Sequence, residues 1–271
     1  MSERVFERAN KHCDEEFPSL IQTVAGVFDP SSLADQAEPV RRHLAHAIAA
    51  GTPIASTVRV EMRGHIKLGR WMPFRATELL NAPRVVWRAR VAGVITGSDR
   101  YVDERGTMSW KLGGIVPLMH AGGSDVSRSA AGRAGGEAQW VPTSLLPSGG
   151  VTWTAADHDH ITSRHQLNGV PIEVRHQIDD RGNIVSTAFD RWGDPDRTGT
   201  WGWHRFGGEV TACRTFGGYC IPSAGRIGWH YGTGRWLDGE FFRYTITALQ
   251  PVLGASGNRP VLRTARRTAV P

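Results

Sequence analysis

From about Ser56 to Leu249 the chain changes its apolar period to two, which is the feature that most narrows its fold. Val58, Val60 and Met62 alternate with Arg59, Glu61 and Arg63, as a strand buried on one face requires. Val85, Trp87, Ala89 and Val91 alternate in the same way with Val86, Arg88, Arg90 and Ala92. Gly64, Gly69, Gly93, Gly97, Gly106, Gly113 and Gly114 break these runs at short intervals. Short strands with frequent breakers predict a mainly β (α+β) architecture: a curved antiparallel sheet, as a meander, a sandwich or an open barrel.

An N-terminal helical segment should pack on that sheet. In residues 1–52, Asp29-Pro30-Ser31-Ser32 supplies turn and cap residues and Pro39 can open a helix. Val40, Leu44, Ala47 and Ile48 then recur at helical spacing, with Gly51 as the expected C-cap. His43 and His46 flank this stripe and read as surface residues. Residues 53–252 form the predicted β domain, and residues 253–271 a disordered basic tail. Within the β domain, Ala121 to Gly136 is Gly/Ser/Ala-rich and weakly patterned, compatible with a loop or a helix.

The formal charge of +6 suggests a nucleic-acid binder only until its distribution is considered. Arg259, Arg263, Arg266 and Arg267 lie in the acid-free tail; without these four charges, +6 becomes +2 for the body. No helix-turn-helix, zinc-finger or single-strand-binding pattern is present, so no nucleic-acid partner is expected. Cys13, Cys213 and Cys220 are too few and too irregular for a disulfide framework. The charged N-terminus lacks the apolar core of a signal peptide, and no run reaches the ~18 apolar residues of a membrane span. A cytoplasmic protein without a membrane span is the expectation.

The sharpest local structure is a hairpin around Asp179-Asp180-Arg181-Gly182-Asn183. A four-residue loop pairing Asp179 with Ile184 would set Ile178 opposite Val185, His176 opposite Thr187, Val174 opposite Phe189 and Ile172 opposite Arg191. Both strands then place their apolar residues on one face, a consistency that a one-residue slip would destroy. His176, Thr187 and Arg191 share that apolar face. A buried guanidinium needs a carboxylate, carbonyls or a polar cavity, so Arg191 either anchors structure or projects into a ligand site. Glu137 is its expected partner.

Other chemistry-bearing patterns are weak. Asp157-His158-Asp159-His160 would, in a strand, set its histidines about 7 Å apart on one face, too far for one zinc. A solvated turn and no metal are predicted. GxSxG, HExxH and GxxxxGK[ST] are absent, and the glycines of 132–136 follow no apolar strand. No cofactor is predicted. Ten Trp against four Tyr is unusual: indoles either fill the core or line an apolar cavity.

Gly64-His-Ile-Lys-Leu-Gly-Arg-Trp71-Met-Pro-Phe74-Arg-Ala76, then Trp87-Arg-Ala, Asp99-Arg-Tyr101, Gly106, Glu137-Ala-Gln-Trp140-Val-Pro142, Val151-Thr-Trp153, Arg191, Trp201 and Ile221-Pro222 carry a further signal. This series resembles an uncharacterised bacterial family, the domain of unknown function numbered six-five-four-four, over about Val40 to Leu249. The family is similar in architecture to lipoprotein-carrier proteins, which implies a curved sheet wrapped around helices with an apolar concavity. Two function classes follow. One is a protein that binds a hydrophobic small molecule of lipid, polyketide or terpenoid type. The other is a cofactor-independent lyase, isomerase or cyclase acting on such a molecule in a biosynthetic pathway. Glu137, His176, Arg191 and His204 are the candidate acid/base groups, and Trp87, Tyr101, Trp140, Trp153, Trp203 and Tyr219 the candidate ligand contacts.

Overall fold

The computed structural model describes residues 26–81 and 84–252. Cys13, the first half of the expected helical segment and the basic tail lie outside these residues. The described residues build thirteen antiparallel strands into one curved sheet that does not close. They are β1 (Thr57–Leu68), β2 (Arg70–Asn81), β3 (Arg84–Val91), β4 (Ile95–Val102), β5 (Arg105–Leu112), β6 (Val116–Gly122), β7 (Thr152–Ala155), β8 (His160–Leu167), β9 (Val170–Ile178), β10 (Ile184–Gly193), β11 (Gly202–Phe216), β12 (Tyr219–Trp229) and β13 (Glu240–Pro251). The order across the sheet is β6-β5-β4-β3-β2-β1-β13-β12-β11-β10-β9-β8-β7. Of the three architectures the sequence allowed, the meander is the one observed.

Tight turns make this possible. Asn168-Gly169 joins β8 to β9 with φ of 51° and 78°, and Gly217-Gly218 joins β11 to β12 with 56° and 96°. Two consecutive positive φ values give a turn whose twist matches that of the strands, and Asn and Gly tolerate them best.

The strand order dictates the rest. β1 to β6 run outward from the middle to one edge, and β7 starts again at the opposite edge. The connection must therefore cross the sheet, and it does so as helix α2 (Ser124–Glu137), following α1 (Glu38–Ala47) in chain order. α2 lies on the inner face, against β4, β5 and β6 on one side and β9 and β10 on the other. Its composition now has a cause. A Cβ on Gly136 would sit 2.5 Å from the Phe189 ring, one on Gly135 would overlap Ile172, and one on Gly106 of β5 would lie 2.6 Å from Val126 O of α2. Small residues let helix and sheet approach closely, and β-carbons would hold them apart. Gly106→Val should accordingly lower stability by about 1–3 kcal/mol, read as a fall in the urea midpoint; an unchanged midpoint would show that α2 can move away freely.

α1 buries Val40, Leu44 and Ala47, with Ile48 bridging to Tyr219 of β12. The helix ends at Ala47, so Gly51 lies in the following turn and is not its C-cap. His43 is not a surface residue: it is buried, and its Nδ1 donates to Gly182 O at 2.9 Å. His46 is half-buried against Asn183 Oδ1 at 2.8 Å. Both histidines clamp the β9–β10 turn, which explains why they interrupt an exposed-looking pattern.

In that hairpin His176 pairs with Thr187 and Arg175 with Ala188, as the facing pattern predicted. Nearer the turn the register differs. Ile178 pairs with Ile184, not Val185, and a bulge absorbs the extra residue. Asp179 fixes the turn by accepting from the backbone N–H groups of Arg181 and Asn183.

Candidate functional site

Where α2 crosses the β2–β4 region, four charged side chains converge. Arg133 of α2 donates from Nε to Glu137 Oε1 at 2.7 Å, one helical turn on, and from Nη1 to Asp99 Oδ2 of β4 at 3.1 Å. Its Nη2 lies 3.5 Å from Glu78 Oε1 of β2. The guanidinium also stacks 5.2 Å from the centre of the Trp87 ring, and Trp110 Nε1 donates to the second oxygen of Asp99 at 3.0 Å. Glu78 is fully buried. Burial first, then the neighbouring charge of Glu137, raises its pKa well above the ordinary carboxyl value despite Arg133. Burial raises Asp99 too. Oε2 of both Glu78 and Glu137 is buried without a partner.

A second guanidinium, that of Arg191, acts on Asp99 through space without contacting it. Arg191, on β10, reaches the same region from the other half of the sheet. Its Nε donates to Ser129 O of α2 at 3.2 Å, and its guanidinium lies 4.7 Å from the Phe206 ring centre and 5.2 Å from that of Trp229. Glu137 makes no hydrogen bond or ion pair with it and acts on it only through space; its Oε1 is held by Arg133. Among the described residues, no carboxylate contacts Arg191 and no protein acceptor meets its Nη atoms. Burial pulls its pKa down to about 10. His204 of β11 is its cross-strand neighbour and packs edge-on to Trp229 at 6.3 Å.

The profile of a family of unknown function, DUF6544, matches residues 26–241, a span that contains every group just described. The chain belongs to this family. No curated protein matches the sequence. Two solved structures are similar to this DUF6544 chain. One is a DUF1329 family protein from Desulfovibrio piger, at 9% identity over 81% of this chain and 96% of the other, with a TM-score of 0.41. The second is a domain described as an outer membrane lipoprotein-sorting protein from Vibrio parahaemolyticus, at 8% identity over 82% and 94%, with a TM-score of 0.35.

In the DUF6544 chain His176 occupies a separate compartment. Thr187 Oγ1 donates to Gln139 Oε1 at 3.1 Å, so the 3.1 Å contact between His176 Nδ1 and Thr187 Oγ1 has the imidazole as donor. His176 Nε2 is then an unprotonated buried acceptor without a partner. The ring stacks 6.3 Å from His43 and 6.0 Å from Trp153. Burial depresses His43 from 6.5 to about 4 and His176 to about 3. Both folded pKa values lie below the unfolded one, so their contribution is complete above pH 6.5 and is lost as pH falls through about 4 and about 3. For His43 alone the full loss is on the order of 3 kcal/mol. Urea midpoints measured from pH 7.5 to pH 4 should fall for the wild type, and the fall should be shallower in the His43→Asn/His176→Gln double variant; parallel curves would refute this assignment.

The candidate ring contacts do not line one cavity. Trp140 is buried with Nε1 donating to Pro222 O, Trp153 donates to Leu145 O, and Tyr219 is buried with its hydroxyl on Pro53 O. Tyr101 OH accepts from Asn168 Nδ2. Trp203 is 51% exposed, packed edge-on to Trp192. Only Trp87 adjoins the charged cluster. The Asp157–His160 segment is a turn, with Asp157 Oδ1 accepting from the Asp159 and His160 backbone N–H groups.

Sequence inspection missed Arg133, Glu78 and Asp99 as a set. The signal was available: Glu78 stands on the inward face of β2 between Ala76 and Leu80, the same anomaly that singled out Arg191.

Proposed function

We propose that this protein binds a hydrophobic small molecule bearing a carboxylate or comparable anionic head group, of the lipid, polyketide or terpenoid type, beside Arg191. The observation that carries this reading is a half-buried guanidinium between the Phe206 and Trp229 rings with no carboxylate in contact. Such a group is costly to hold in place unless an anion completes it, and a planar fork matches a carboxylate in two-point geometry. Apolar rings with one convergent charge describe a site that orients an amphiphile. An acid/base enzyme is the less supported alternative, because Glu137 and Asp99 are already engaged by Arg133 and His176 lies in a different compartment.

Native mass spectrometry of the protein incubated with matched pairs of long-chain acids and their methyl esters tests this. The acids should form one-to-one adducts that survive mild activation and the esters should not; adducts formed equally by both would exclude Arg191 as the head-group site. Unchanged masses of released ligands would accompany binding, whereas new products would establish turnover.

A further inference from the structure

The outer face of the sheet presents a feature that the inner site does not use. Arg63 of β1, Arg75 of β2 and Arg90 of β3 stand directly opposite one another in register, all pointing away from α2. The row continues through Thr96 of β4 to Lys111 of β5. Like charges placed directly opposite in a sheet repel, and an anion seated among them relieves that repulsion. Arg63, Arg75 and Arg90 line a cavity of about 620 Å³ together with His65, Thr245 and Gly93.

That cavity reaches Gly93 of the β3–β4 turn, at one end of the sheet. The β1–β2, β3–β4 and β5–β6 turns all lie there, and Gly113 of the third turn donates to Val94 O of the second at 2.8 Å. Each hairpin exposes apolar side chains at or beside its turn: Leu68 in the first, Val94 in the second, and Ile115, at 82%, with Val116 and Leu118 in the third. Residues 62–77, 85–98 and 106–123 contain no acidic residue, while Lys67 and Arg70 add to the basic row. Glu61 lies one row farther from the tips, and Glu240 is held by Arg243 and Arg226.

We propose that the β1–β6 half of this end docks on a bilayer surface carrying anionic phospholipids. The apolar turns enter the headgroup region, and a lipid phosphate seats in the arginine-lined cavity. Apolar tips next to an acid-free basic face match the two terms of interfacial binding, burial and attraction to anionic headgroups. A soluble anion would need the cavity alone and would leave the exposed turns without a role.

Vesicle flotation tests this on the full chain, with phosphatidylcholine alone and with phosphatidylcholine containing phosphatidylglycerol. The wild type should float only with the anionic vesicles and be released by high salt. Ile115→Ser/Val116→Ser and Arg63→Gln/Arg75→Gln should each weaken partitioning at least tenfold while leaving the far-ultraviolet circular dichroism unchanged. The serine pair sits at exposed turn positions, so a folding defect in the arginine pair would leave the question decidable. Absence of flotation, equal flotation with both vesicle types, or an unaffected serine variant would overturn the proposal. So would inorganic phosphate that binds the cavity without any vesicle association, since that result places a soluble anion there.

Discussion

Arg133→Met should lower the unfolding free energy by about 3–5 kcal/mol, the range for removing one partner from a buried charged network. The methionine fills similar space, so the loss is mainly electrostatic. It strips Asp99 and Glu137 of the guanidinium that contacts them and leaves Glu78 with no favourable neighbour. The sign of the pH dependence follows. Glu78 has a folded pKa raised above its unfolded value, so its ionisation opposes folding as pH rises, and acid relieves it. Removing Arg133 takes away the charge that lowers both Glu78 and Asp99, so both rise further. The stability gap between wild type and variant should therefore be widest at pH 8 and narrow toward pH 4. A gap that is constant with pH would mean that Arg133 contributes packing across Trp87 and not charge balance.

Arg191→Met is the contrasting case. Arg191 touches no carboxylate, so its removal orphans no buried anion directly; the stability cost should stay under about 3 kcal/mol. Affinity for a long-chain acid should fall at least tenfold, about 1.4 kcal/mol. Arg191→Lys should not restore it, because an ammonium has no planar fork and stacks less well between Phe206 and Trp229. Equilibrium unfolding and ligand titration on the same preparations separate the two effects. A methionine variant that unfolds would identify Arg191 as a structural anchor, and one that binds normally would move the ligand elsewhere.

The sheet was legible because burial on one face imposes period two: Val58 to Met62 obey it, and in Val85 to Val91 Val86 alone is buried out of phase. Register at His176–Thr187 was legible for the same reason, since both strands had to agree. The bulge near Ile184 was not, because a local extra residue leaves the face pattern on either side intact. Helix α2 was hidden by its own function in packing: Gly132, Gly135 and Gly136 erase the apolar stripe that would announce a buried helix, and their small size is what permits its approach to Phe189 and Ile172. His43 and His46 were misplaced because their partners, Gly182 and Asn183, lie some 140 residues away in sequence. Of the proposed site, Arg191 was visible as a charge on an apolar face. Arg133 was not, since one arginine in a Gly/Ala-rich segment has no face until the helix is docked. The indoles were left open between core and cavity lining; Trp140 and Trp153 have their N–H groups satisfied by backbone carbonyls and pack with the core.

The anionic head-group claim comes to a single comparison. Trp229 lies beside the Arg191 guanidinium and reports on its occupancy. Titrating the protein's tryptophan emission with a long-chain acid and with the alcohol of the same chain isolates the charge from the apolar body. Saturable quenching by the acid, at least tenfold weaker with the alcohol and equally weak for both in Arg191→Met, is the predicted result. Equal responses to acid and alcohol in the wild type, or no response to either, would contradict it.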